Sequence, residues 1–218
     1  MKRINIILLV AMTLGFRVWK DAKWDVSESD PYIWVKPCDR DIEIKGSIPD
    51  DDYYYTDSDN IVDILQTVLD NINDIEGSYL VLEMWPDDED NPPAGSHFDK
   101  DKAENRTIRI CDDLPGGGGA FPDVGGRKWK GCALRYGGDK YHGDVKKFLS
   151  IMSHELGHCL NLAHPQDSNS SVMSYFNKSS ESIYRYQADD KMGLVYLYPE
   201  SGVDLGEEPS YGLSCGFK

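Results

Sequence analysis

His154-Glu155-Leu156-Gly157-His158-Cys159-Leu160-Asn161-Leu162-Ala163-His164 reads H-E-x-x-H-x-x-N-x-x-H. The run that leads into it, Val145 to Leu160, carries apolar residues at helical spacing. Histidines four apart on a helix stand about 40° apart around the axis, so both imidazoles reach one metal ion. With His154 at zero on the helical wheel, Val145, Phe148, Leu149, Met152, Leu156, Cys159 and Leu160 fall between about 120° and 240°, at about 100° per residue. The histidine pair therefore faces away from the main apolar arc. Such a helix packs one side in a core and lines a cleft with the other.

On the same straight helix His164 would lie about 9 Å beyond His158, at about 1.5 Å per residue. To join the pair, it needs a turn in the chain. Asn161 stands where that turn is required, and asparagine tolerates a left-handed backbone second only to glycine. Pro165 then prevents the helix from resuming. Three neutral imidazoles leave the fourth tetrahedral position of Zn²⁺ to water, the arrangement of a catalytic site. Glu155, one residue past the first ligand, is placed to act on that water as a general base and to pass the proton to a leaving amine.

Here the residues resemble the long zinc-binding signature of the metzincin metallopeptidases, whose usual pattern has Gly where this chain has Asn161. Ser171-Val172-Met173-Ser174-Tyr175 is similar to their Met-turn, and Asp189-Asp190-Lys191-Met192-Gly193-Leu194-Val195-Tyr196-Leu197-Tyr198 resembles the final helix of the matrixin–serralysin branch. The resemblance implies an α+β fold: a twisted mixed five-stranded sheet, a long active-site helix and a small irregular C-terminal lobe. It implies that Met173 is the apolar floor beneath the three imidazoles. It also implies that the Tyr175 hydroxyl stabilises the oxyanion or binds the metal, with a packing role as the alternative. Leu114 to Tyr136 resembles the loop, substrate-binding edge strand and next strand of matrixins, so residues 118–121 would bind an extended substrate by strand addition. The implied activity is that of a zinc endopeptidase acting on protein or peptide. A zinc-bearing secreted binding module is the alternative.

The remaining chain sets bounds. Its 218 residues suit one catalytic domain over 16–218, with an upper lobe to about 160 and a lower lobe over 161–218. Net charge is −15, which disfavours nucleic-acid partners. Met1-Lys2-Arg3 followed by an apolar run to Phe16 reads as a secretory signal over residues 1–15, with Thr13 and Gly15 at the small positions before the cut. The run is too short to span a membrane, which takes roughly 20 residues. A secreted, extracellular or periplasmic monomer is expected.

Cys38, Cys111, Cys132, Cys159 and Cys215 make an odd count, with disulfides permitted by export. Cys38 is open to two readings, a disulfide or a short switch that blocks the zinc. His97 and His142 read as ordinary polar residues, with a structural metal site as the alternative. The acidic runs at 50–52 and 87–90 read as solvated loops, with Ca²⁺ binding as the alternative. Strands are expected at 32–36, 41–48, 78–85, 106–111 and 131–136. A helix is expected after a Thr56–Asp59 capping pair, another over 145–160 and a last one over 188–198.

Overall fold

The apolar run at 32–36 forms an inner strand of the main sheet, buried on both faces. The computed structural model describes residues 17–18, 23–46, 59–125, 128–165, 171–174 and 184–205. The expected leader, the acidic run at 50–52, Thr56, Tyr175 and Cys215 lie outside them. In chain order the elements are β1 (Arg17–Val18), β2 (Lys23–Trp24), β3 (Tyr32–Pro37), α1 (Ile61–Asn73), β4 (Val81–Met84), α2 (Lys100–Ala103), β5 (Thr107–Cys111), β6 (Gly118–Gly125), β7 (Lys128–Tyr136), α3 (Gly138–Tyr141), α4 (Val145–Cys159), β8 (Leu162–Ala163) and α5 (Ala188–Leu197).

The main sheet runs in the order β2-β7-β5-β3-β4, with β6 paired to β7. Its pairings are parallel except β6–β7, so the sheet is mixed and the fold is α+β. It has six strands where five were expected; β2, with only two residues, is the extra one. On β3, Ile33 and Val35 join the main core, while Trp34 faces the other way into a small cluster with Trp85 and Ala103.

Helix α1 buries Ile61, Ile64, Leu65, Val68, Leu69 and Ile72. Its cap is Asn60 rather than the Thr56–Asp59 pair: the Asn60 side chain accepts from the Val62 N–H at 2.8 Å and donates to the Arg40 carbonyl at 3.0 Å. At the other end, Asn73 donates to the Leu82 carbonyl at 2.9 Å and accepts from its N–H at 2.7 Å. That seals backbone on the outer edge of β4 against further pairing. The strand expected over 41–48 is not formed in its described part, which holds only an isolated Glu43–Asn60 bridge. Both edges of β3 are taken by β4 and β5, and Asn73 closes β4, so the segment has no free edge at this end of the sheet.

Among the described residues, one disulfide links neighbouring strands and a second ties the sheet to a helix. Cys38–Cys111 joins the residue after β3 to β5, which removes the switch reading of Cys38. Cys132–Cys159 ties β7 to the last residue of α4. The Trp24 indole N–H donates to the Cys159 carbonyl at 2.7 Å and the Tyr198 hydroxyl to the Leu160 carbonyl at 3.3 Å. Carbonyls that a helix C-terminus leaves unpaired are thereby satisfied. Among the described residues, no helix is long and apolar enough to cross a membrane.

Candidate active site

Helix α4 starts on Asp144, whose carboxylate accepts from the Lys146 and Lys147 N–H groups. It buries Val145, Phe148, Leu149, Met152, Leu156 and Cys159. That packing fixes the rotation of the helix and brings His154 and His158 together on a different side. The helix ends at Cys159, and Asn161 takes the left-handed turn at φ 77°. His164 is thereby returned to the pair. Its Nε2 lies 3.0 Å from that of His158 and 3.1 Å from that of His154. Among the described residues, this trio is the one group of His, Cys, Asp and Glu donors close enough to share an ion.

The second ring nitrogens show what the first are for. His154 Nδ1 lies 2.7 Å from the Val172 carbonyl, and His158 Nδ1 lies 2.8 Å from the Leu162 carbonyl. A carbonyl only accepts, so each Nδ1 carries the proton and each Nε2 presents a lone pair. Burial pushes the His154 imidazole below its usual range. It holds His158 down at about 3, helped by the neighbouring His154 and His164, and His164 at about 4, helped by His154. The rings are neutral at pH 7. Lone pairs converging at this distance repel one another unless a cation lies between them, so the donor set fits a zinc ion.

Glu155 is buried at 5% exposure. Burial raises its carboxyl to about 7, while the Ala120 N–H, which donates to it, pulls the other way. Strand β6 can come this close because Gly118 has no side chain: a Cβ there would lie 2.6 Å from Ile151 and 3.3 Å from Glu155 Cγ. Met173 is buried against the opposite side of the helix, where a Cβ on Gly157 would collide with its sulfur.

A family model described as matrixin matches residues 20–199, a span that holds every element of this site. The chain belongs to the matrixin family. A comparison with curated proteins gives no match. The matrixin family is a family of zinc metallopeptidases, and among the described residues the trio above is the group that could bind a metal.

One buried residue of this matrixin stands in the sequence only as part of the final helix. Asp190 is 2% exposed. One of its carboxylate oxygens accepts from the Ser171 hydroxyl and, at 3.3 Å, from the Met173 N–H. The other accepts from the Val172 N–H at 3.0 Å and the Gln187 N–H at 2.9 Å. Burial leaves the carboxyl above its usual range despite these donors. Asp190 shapes the Met173 loop and, through Val172, the acceptor of His154. An acidic residue three places into a helix signals a capping box; only the fold shows that it also grips another loop.

Asn161 is fully buried, and neither atom of its amide has a hydrogen-bond partner among the described residues. Beyond the Met173 loop the described residues resume at Tyr184. There the Ser153 hydroxyl donates to the Tyr184 carbonyl at 2.7 Å and the Tyr186 hydroxyl to the Ser153 carbonyl at 2.6 Å, tying the segment to α4.

The features set aside in the sequence lie elsewhere. His97 stacks on Tyr32 at 4.2 Å, and His142 shares a 3.0 Å hydrogen bond with the Tyr136 hydroxyl. In the 87–90 run Asp87 pairs with Arg40, and Glu89 with Lys36 and Lys100. The cations already there compensate these carboxylates, so no Ca²⁺ role follows.

Proposed function

We propose that this matrixin is a secreted zinc endopeptidase that hydrolyses peptide bonds in proteins, with Glu155 as general base. One observation carries the reading: three neutral imidazole nitrogens converge at one point, and the buried carboxyl next in the chain lies against edge strand β6.

His154, His158 and His164 hold the metal. Zinc bound there supplies a Lewis acid that polarises the scissile carbonyl and acidifies water. Glu155 removes a proton from the attacking water as its oxygen bonds to the carbonyl carbon. It then gives that proton to the amide nitrogen as the C–N bond breaks. Burial suits Glu155 to both roles, since a carboxyl with raised proton affinity takes and returns a proton near neutral pH. The substrate lies extended along β6, whose far edge pairs with no described strand. Tyr175 is assigned to the oxyanion, Met173 to the floor and Asn161 to the turn that delivers His164. Residues 1–15 are the export signal, and 16–218 form one catalytic domain with its cleft above a lower lobe that begins near 161.

The test is Glu155→Ala. Zinc content, read by elemental analysis, stays at the wild-type level, and cleavage of a denatured protein is lost. Wild-type cleavage in that variant would remove Glu155 from the mechanism.

A further inference from the structure

Strands β1 and β8 form a small antiparallel pair apart from the main sheet, with Arg17 opposite Ala163 and Val18 opposite Leu162. Strand β8 is the stretch on which the metal centre turns. The Leu162 carbonyl is the acceptor for His158 Nδ1 at 2.8 Å, and Ala163 directly precedes His164. One dipeptide thus orients the second imidazole and delivers the third. Across from it, Val18 is half-buried and packs against the main core.

We infer that β1 is a positioning element of the metal centre: the backbone of Arg17–Val18 holds β8 in the register that sets His158 and His164. This rests on the proposed reading of the three histidines as ligands. A two-residue pairing adds little to the stability of a whole domain. Its effect is local, on the groups that orient the metal-binding nitrogens. Arg17 and Val18 also lie two and three residues past the expected end of the leader. A cut at that point keeps β1 whole, and a cut a few residues further in removes it. N-terminal processing beyond Val18 would therefore weaken zinc binding as detaching β1 does.

The experiment uses the full chain and measures zinc affinity by competition with a chromogenic chelator. Cobalt(II) absorption reports the ligand geometry, and the metal-free thermal midpoint reports global folding. Val18→Pro removes an N–H and constrains φ, detaching β1. Val18→Thr keeps a β-branched strand former. The proline variant should bind zinc about tenfold or more weakly, the range seen when groups that orient metal ligands are lost, and should show altered cobalt bands. The threonine variant should stay within about twofold, and both should keep the metal-free midpoint. If the proline variant does not fold, Val18→Asp replaces it, since a charge expels this half-buried side chain from the core. Unchanged zinc affinity and cobalt bands in whichever of the two folds would overturn the inference. A wild-type chain that binds no zinc, or a His164→Ala variant that binds it as well as wild type, would instead refute the reading of the ligands.

Discussion

Replacing Asp190 separates its two tasks, folding the Met173 loop and fixing His154. In Asp190→Ala, Met173 N–H keeps the Ser171 oxygen at 3.0 Å, and the half-buried Gln187 N–H can reach water. The Val172 N–H and the Ser171 hydroxyl are left buried without their acceptor. A buried donor so orphaned costs about 1–3 kcal/mol, so the pair costs about 2–6 kcal/mol. Relief from burying a carboxylate brings this to about 2–5 kcal/mol, a large part of the roughly 5–15 kcal/mol that holds a domain together. Asp190→Asn behaves differently. Its oxygen can serve Val172 and Gln187 while its NH₂ donates to Ser171, whose hydroxyl rotates; the expected loss is about 1 kcal/mol. Urea unfolding of the metal-free protein at pH 7 gives both numbers. Zinc competition gives the second effect: because Val172 orients His154, the alanine variant should lose about 10–100-fold in affinity and the asparagine variant clearly less. Equal losses for the two variants, or a loss under about 1 kcal/mol for alanine, would refute the assignment.

Three further perturbations follow from the same geometry. Asn161→Gly should be neutral or stabilise by about 1 kcal/mol, since it removes a buried unpaired amide and relaxes a positive φ; Asn161→Ala removes the same amide but must still hold the positive φ, so it should be less stable than Asn161→Gly by about 1 kcal/mol, as thermal melts would show. In the metal-free protein Glu155 holds its proton to about pH 7 when folded, against an ordinary 4.5. Its contribution therefore weakens stability as pH rises between those values and is constant above them. Glu155→Gln should gain up to about 3 kcal/mol over wild type at pH 8 and converge with it near pH 4; the histidines titrate alike in both proteins, so a pH-independent difference in urea unfolding would contradict the burial argument. Removing Cys132–Cys159 by a double Cys→Ala change opens a link of sequence separation 27. It should cost about 3.5 kcal/mol by chain entropy, read as a shift of the denaturation midpoint.

Much of the site is legible because its chemistry is local. His154 and His158 lie one turn apart on a helix and Asn161 marks the turn that returns His164, so spacing alone predicts the trio that the fold brings together, whereas Met173 enters only through the resemblance to a Met-turn. The strand expected at 41–48 failed because apolar content reports burial rather than an available edge; Ile44 is buried without a ladder. The cap of α1 lay at Asn60 because that side chain could also bond to Arg40, 20 residues away in sequence.

By itself the amino-acid order determined the metal-binding helix, its turn and its likeness to matrixins, since these follow from periodicity and residue type within one short stretch. Tertiary structure alone decided the pairing of Cys38 with Cys111 and of Cys132 with Cys159, the grip of Asp190 on the Met173 loop, and the contact of β1 with β8. Each of these joins residues far apart along the chain. Which distant groups meet is set by how the sheet and helices pack, and no local pattern records that.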